Sequence, residues 1–173
     1  PPPPPPPPPF FNETATPEIY TVTIHDALPI LRHAKTLGLA VTLSLGERDP
    51  AELAYWRQVG ADRYLLRHET ANPVLHGLLR PERTLAGRVA TLIRLRELDY
   101  QVGAGFMAGL PGQASADLVA DLRFVASLQA EMVGIGPFIP HPDTPLAGAP
   151  GGGVELTLRL VALTRLLLPE ALI

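Results

Sequence analysis

From Leu31 onward, short apolar runs alternate with stretches whose apolar positions recur every three or four residues. Residues 39–45 (LAVTLSL) lie between Gly38 and Gly46, and their β-branched and aliphatic side chains predict a strand. Asp49-Pro50 opens a helix to about Gln58, closed by Gly60, because proline suits a first turn and glycine an end. Residues 63–69 (RYLLRHE) read as the next strand. Leu85, Val89, Leu92 and Ile93 share one face of a helix over 84–98. Residues 101–108 (QVGAGFMA) form a third strand. In the helix after it, Ser115 is the expected N-cap, and Leu118, Leu122, Val125 and Leu128 form the buried stripe. A fourth strand over 130–138, a helix over 154–168 stopped by Pro169, and the start of a fifth strand at 171–173 complete the pattern.

Alternation at this spacing predicts an α/β fold of right-handed βαβ units with a parallel sheet. Four to five units suit a small doubly wound sheet or a partial (β/α)8 barrel, since a complete barrel needs about 250 residues. The pleat discriminates, because successive strand residues face opposite sides. Arg63, Leu65, Arg67 and Glu69 share one face, against Tyr64, Leu66 and His68. Thr42 and Ser44 oppose Val41, Leu43 and Leu45, while Met132, Gly134 and Gly136 lie together. Polar groups and glycines on one side of successive strands describe a lined hollow, so a partial barrel is expected. A buried arginine and glutamate need partners. Arg67 and Glu69 either satisfy each other or face a charged ligand.

Composition narrows the function. The 173 residues are 46% hydrophobic, enough for one core. Charged residues are 18% and the net charge is -3, which offers no electrostatic case for nucleic acid or an anionic membrane. Arg159 and Arg165 interrupt the longest apolar stretch, so no membrane span of about 20 residues is expected. No signal peptide is recognisable, and a cytoplasmic location is expected. The chain has no cysteine, hence no thiolate ligand or cysteine nucleophile of its own. Pro1 to Pro9 can only form polyproline II, and Asn12 to Ile30 resembles the translation of a common sequencing adaptor. Residues 1–30 are therefore expected to be a non-native or disordered segment in which His25 and Asp26 have no role and Phe10, Phe11 and Ile19 pack nothing, ahead of a domain over 31–173. His141 and Asp143 sit in a proline-rich turn and make no metal site. His68 lies opposite Arg67, and His33 and His76 lie on helices, none with partners at ligand spacing.

Three blocks carry a family resemblance: YLLRHETANP (Tyr64 to Pro73), GAGFMAGLPGQ (Gly103 to Gln113) and MVGIGPFIPHPDTPL (Met132 to Leu146). With VALTRLLLP (Val161 to Pro169), they resemble the radical S-adenosylmethionine maturases that help build the organometallic cluster (H-cluster) of [FeFe]-hydrogenase, the HydE type. Biotin synthase and methylornithine synthase share related motifs. The resemblance implies a complete barrel in which a [4Fe–4S] cluster on a CxxxCxxC loop reduces S-adenosylmethionine to methionine and a 5′-deoxyadenosyl radical. That loop is absent here, and the chain would cover the third to sixth strands and the start of the seventh. It implies a fragment inactive alone, acting on a small-molecule or organometallic substrate, with other hydrogenase maturases as partners.

By the same resemblance, Glu69 contacts the amino group of S-adenosylmethionine beside Arg67, and Arg88 pairs with its carboxylate. Arg88 read by itself is equally a solvated helix position. Met132 lies against adenine or is plain core, and Gly134 and Gly136 admit the nucleoside. Thr42, Arg63 and Arg67 face the cavity of an anionic substrate. The alternative is a non-catalytic α/β domain that binds an adenosyl nucleotide.

Overall fold

The computed structural model describes residues 24–173, and side chains from Leu28 onward. Its elements are α1 (Ile24–Thr36), β1 (Thr42–Leu43), α2 (Pro50–Val59), β2 (Arg63–Leu65), α3 (Pro73–Leu79), α4 (Leu85–Glu97), β3 (Gln101–Ala108), α5 (Ser115–Ser127), β4 (Met132–Pro137) and α6 (Val154–Leu167). The four strands are parallel and in sequence order, β1-β2-β3-β4. A doubly wound sheet would reverse that order at a switch point. Sequential neighbours are what a barrel wall requires, so the α/β partial-barrel expectation holds.

The pleat sorts residues as expected. Val102, Ala104, Phe106 and Ala108 of β3 are buried against the helices. One apolar cluster joins Leu28, Leu31, Leu43, Trp56, Tyr64 and Val102, with Leu92 and Leu95 of α4. A second joins Phe106, Val125, Val133 and Leu160. Two tyrosines tie their hydroxyls to the first cluster's frame: Tyr100 donates to the Leu53 carbonyl at 2.7 Å and Tyr64 to that of Gly46 at 2.8 Å. Burial pushes the Tyr64 phenol up to about 12 and raises the Tyr100 phenol as well, so both remain neutral donors.

Several boundaries differ from expectation. β1 has two residues rather than seven, because an edge strand is hydrogen-bonded on one side only. Ser115 is the first helical residue of α5, not its cap. Ala114 occupies the cap, and its N–H donates to Asp117 at 2.7 Å. α1 begins at Ile24 and crosses the boundary expected at residue 31, with Leu28 buried beside Leu31. His25 and Asp26 fall on this helix, while Phe10, Phe11 and Ile19 lie outside the described residues. The expected fifth strand is a single bridge, Leu172 to Met132. Among the described residues, no helix is long and apolar enough to cross a membrane.

Candidate functional site

Four rungs cross the face of the sheet away from the two cores. The lowest is Thr42, Arg63 and Gln101, and the next is Leu65, Gly103 and Met132. Gly105 and Gly134 pair above them, then Met107 and Gly136. A Cβ on Gly136 would meet nothing within 4 Å, and one on Gly134 would rest 3.5 Å from Arg67 Cδ. Gly136 therefore leaves its face of the sheet bare, while the Arg67 side chain lies over Gly134. Met132 is half-buried, with its Cε 3.0 Å from where a Gly103 Cβ would stand.

β2 carries an irregularity that the strict alternation did not anticipate. Leu65 pairs with Gly103, yet Glu69 pairs with Phe106, so four steps along one strand match three on the other. One extra residue is a bulge. Glu69 sits at φ 68°, in the left-handed region. Glu69 is consequently buried rather than lining the hollow in register with Arg67, which is 43% exposed at its side chain. The two still meet, with Arg67 Nε 3.5 Å from Glu69 Oε2. Arg80 at the end of α3 donates from Nη2 to Glu69 Oε1 at 3.3 Å. Glu69 Oε2 accepts no hydrogen bond among the described residues.

Arg88, early in α4, is 5% exposed and not a solvated position. Its Nε lies 2.8 Å from Glu47 Oε1, and its Nη1 donates to the Arg67 carbonyl at 3.2 Å. The approach to Glu47 is an ion pair without an aligned hydrogen bond, since both atoms remain unbonded by direction. Burial lowers the Arg88 pKa, and the Glu47 carboxylate opposes that shift. Leu45 to Arg48 and the side chains of Arg80, Arg83 and Arg88 enclose a cleft of about 310 Å³. It lies at the C-terminal ends of β1 and β2, the end at which barrel enzymes bind their ligands.

Thr42 and Arg63 are not part of this cluster. They stand at the opposite end of the strands from Arg67, four residues or roughly 13 Å away along β2. Arg63 Nε donates to Gln101 Oε1 at 2.6 Å there.

A buried network braces the loops. His68 Nε2 lies 3.3 Å from Asp121 Oδ1, and the Ala71 N–H donates to the same oxygen. Gln113 spans Asp121 Oδ2 at 3.5 Å, the Met107 carbonyl at 2.9 Å and the Gly109 N–H at 2.7 Å. Asn72 caps α3 and donates to Asp117 at 2.9 Å. Glu47, Arg80 and Asp121 escaped the sequence reading. The one available signal was position, since Glu47 follows the first predicted strand and Asp121 interrupts the apolar stripe Leu118–Leu122–Val125.

The donor set suits one implied ligand and not the other. Glu69 offers an orphaned buried acceptor, fit for an ammonium, and Arg88 has no hydrogen-bond partner at Nη2 among the described residues, fit for a carboxylate. Those are the two poles of an amino acid such as the methionine end of S-adenosylmethionine. A [4Fe–4S] cluster needs thiolates, and this chain has none. No group of three metal-ligating side chains occurs among the described residues.

No family model matches the chain. Over 142 residues it is 57% identical to the [FeFe] hydrogenase maturase subunit HydE of Thermotoga maritima, covering 82% of this chain and 41% of that one. The solved methylornithine synthase (PylB) is similar at a TM-score of 0.79 and 26% identity, over 88% of this chain and 45% of that one. Coproporphyrinogen III oxidase (HemN) from Escherichia coli, a radical SAM enzyme, is similar in fold alone, with a TM-score of 0.65 and 16% identity over 86% and 37% of the two chains. The chain thus spans about two fifths of the length of the curated relatives it matches. Sequential parallel strands, a charged cleft at their C-terminal ends and this identity lead to one conclusion: the chain belongs to the radical S-adenosylmethionine enzymes, among the HydE-type maturases of [FeFe]-hydrogenase.

Proposed function

We propose that the chain is the central part of a maturase that acts in assembly of the hydrogenase H-cluster, and that it holds the amino-acid end of S-adenosylmethionine. In this reading the full protein works in the cytoplasm, beside other maturases, on a small-molecule or organometallic substrate. The observation that supports the site is a pair of unmet capacities: among the described residues Glu69 Oε2 accepts no hydrogen bond, and Arg88 hydrogen-bonds through Nη1 alone, to the Arg67 carbonyl. Glu69 accepts from the ammonium, Arg88 grips the carboxylate, and Met132 with Gly134 and Gly136 shapes the floor under the nucleoside. Arg67 holds Glu69 from one side while its carbonyl fixes Arg88. S-adenosylmethionine supplies the radical chemistry of the family when a reduced cluster stands beside it, and the ligands of that cluster lie outside this chain. Thr42 and Arg63, at the far end of the hollow, suit an anionic substrate rather than the same ligand as Arg88.

Affinity in the isolated chain should be low. Glu69 and Arg88 already hold internal counter-ions, so a ligand exchanges partners instead of gaining new ones. Each exchange therefore gains little, about the 0–1 kcal/mol of an exposed ion pair, and two such contacts fall short of the roughly 4 kcal/mol of a millimolar complex. Titration of the 15N-labelled chain with S-adenosylmethionine should move the amides of Glu69, Arg88, Gly134 and Gly136, with no saturation below the millimolar range. Iron–sulfur reconstitution under dithionite should yield no 5′-deoxyadenosine. Shifts confined to other residues would sink the site assignment.

A further inference from the structure

Glu47 is the one carboxylate lining a cleft that also holds the guanidinium groups of Arg48, Arg80, Arg83 and Arg88. It follows Gly46, whose φ of 74° turns the chain out of the β1 end and over the cleft. One carboxylate oxygen lies 2.8 Å from Arg88 Nε and the other 3.4 Å from Arg83 Nη1. The Glu47 side chain is 13% exposed and that of Arg88 6%, so the attraction acts with little screening. Arg88 is thereby held on two sides, Nε by Glu47 and Nη1 by the Arg67 carbonyl. Nη2 makes no hydrogen bond among the described residues.

A guanidinium that is already held in place loses less side-chain freedom when it takes up a carboxylate. We infer that Glu47 is a positioning residue for carboxylate recognition: it pins the Nε edge of Arg88 and leaves the Nη2 corner to the ligand. This rests on the reading above that Arg88 grips the carboxylate of S-adenosylmethionine. Arg83 acts one step further back, by steadying Glu47. The arrangement is not that of an internal competitor, because Glu47 and a ligand carboxylate address different nitrogens of the same group.

The test crosses a change in the protein with a change in the ligand. The chain, its Glu47→Gln and Glu47→Asp variants, and Arg83→Gln are titrated by NMR with S-adenosylmethionine and with its decarboxylated analogue. The original chain should prefer the carboxylate-bearing ligand by about threefold or more, the scale of one ion pair. Glu47→Gln should reduce that preference to within about twofold by weakening S-adenosylmethionine alone. Glu47→Asp should retain part of it. Arg83→Gln alters an exposed side chain and leaves the core intact, so it should show the same trend, smaller, even if Glu47→Gln does not fold. An unchanged preference in the folded variants, or tighter binding of S-adenosylmethionine by Glu47→Gln, overturns the positioning role. Equal affinity of the original chain for the two ligands overturns the site reading itself, and the inference with it.

Discussion

Gly105 and Gly136 both belong to the glycine-rich face, yet their surroundings differ sharply. A Cβ on Gly105 would collide with the Gly134 carbonyl, whereas one on Gly136 would meet open space. Gly105→Ala should therefore destabilise the chain by about 1–3 kcal/mol, the usual cost of forced overpacking. Gly136→Ala should stay within about 0.5 kcal/mol of the parent. Urea midpoints of the two variants check this, and equal midpoints would refute it. At this scale the sequence exposed the charged groups Arg67, Glu69 and Arg88 but not what holds them. Arg80 and Asp121 reach their partners across 11 and 53 residues, and no local pattern marks such pairs. The position of Glu69 was misread for a related reason. A bulge is set by how two strands match, and period-two alternation within one strand cannot show it.

Elements with strong local signals came out closest to expectation. α2 starts at Pro50 behind Asp49, which accepts from the Ala51 N–H at 2.8 Å, while Glu52 accepts from the Asp49 N–H at 3.3 Å. Asp49→Ala should cost about 1 kcal/mol, read as a lower thermal midpoint. β3 matched its expected limits because β4 pairs with it as far as Ala108, while β1 ends with its pairing at Leu43 and β2 is cut short by the bulge after Leu65. Between elements, Asp121 on α5 secures the loop after β2 through His68 and the Ala71 N–H. Asp121→Ala leaves those buried groups unpaired and should destabilise by about 3 kcal/mol or more. Amide exchange around Ala71 should accelerate, and unchanged protection there would count against the bracing role.

For the whole molecule, His76 and Asp62 both contribute to the response to acid. His76 on α3 is fully buried with neither ring nitrogen hydrogen-bonded, and burial, with Arg88 and Arg80 nearby, lowers its pKa. The unfolded chain then binds the proton more readily, so stability present above about pH 6.5 declines as pH falls below it. His76→Gln should flatten the unfolding free energy between pH 7.5 and 5.5, and an unaltered slope would exclude this source. Burial raises the Asp62 carboxyl, but the Val41 N–H and the Lys35 ammonium outweigh it and hold the group below its usual range. That contribution persists above about pH 4 and is lost as pH falls further. The fold class and the direction of the open face were legible because both follow from periodicity; the cleft was not, since it is built from two loops and the start of α4, which meet only when the sheet forms. The in-order sheet also governs how the molecule comes to be made. Every buried residue of the first apolar cluster lies between Leu28 and Val102, and every one of the second lies at Ala104 or later. A ribosome releasing the chain from its N-terminus could let the first half consolidate before the second has been synthesised, with no stretch of sheet held open for a late-arriving strand to insert.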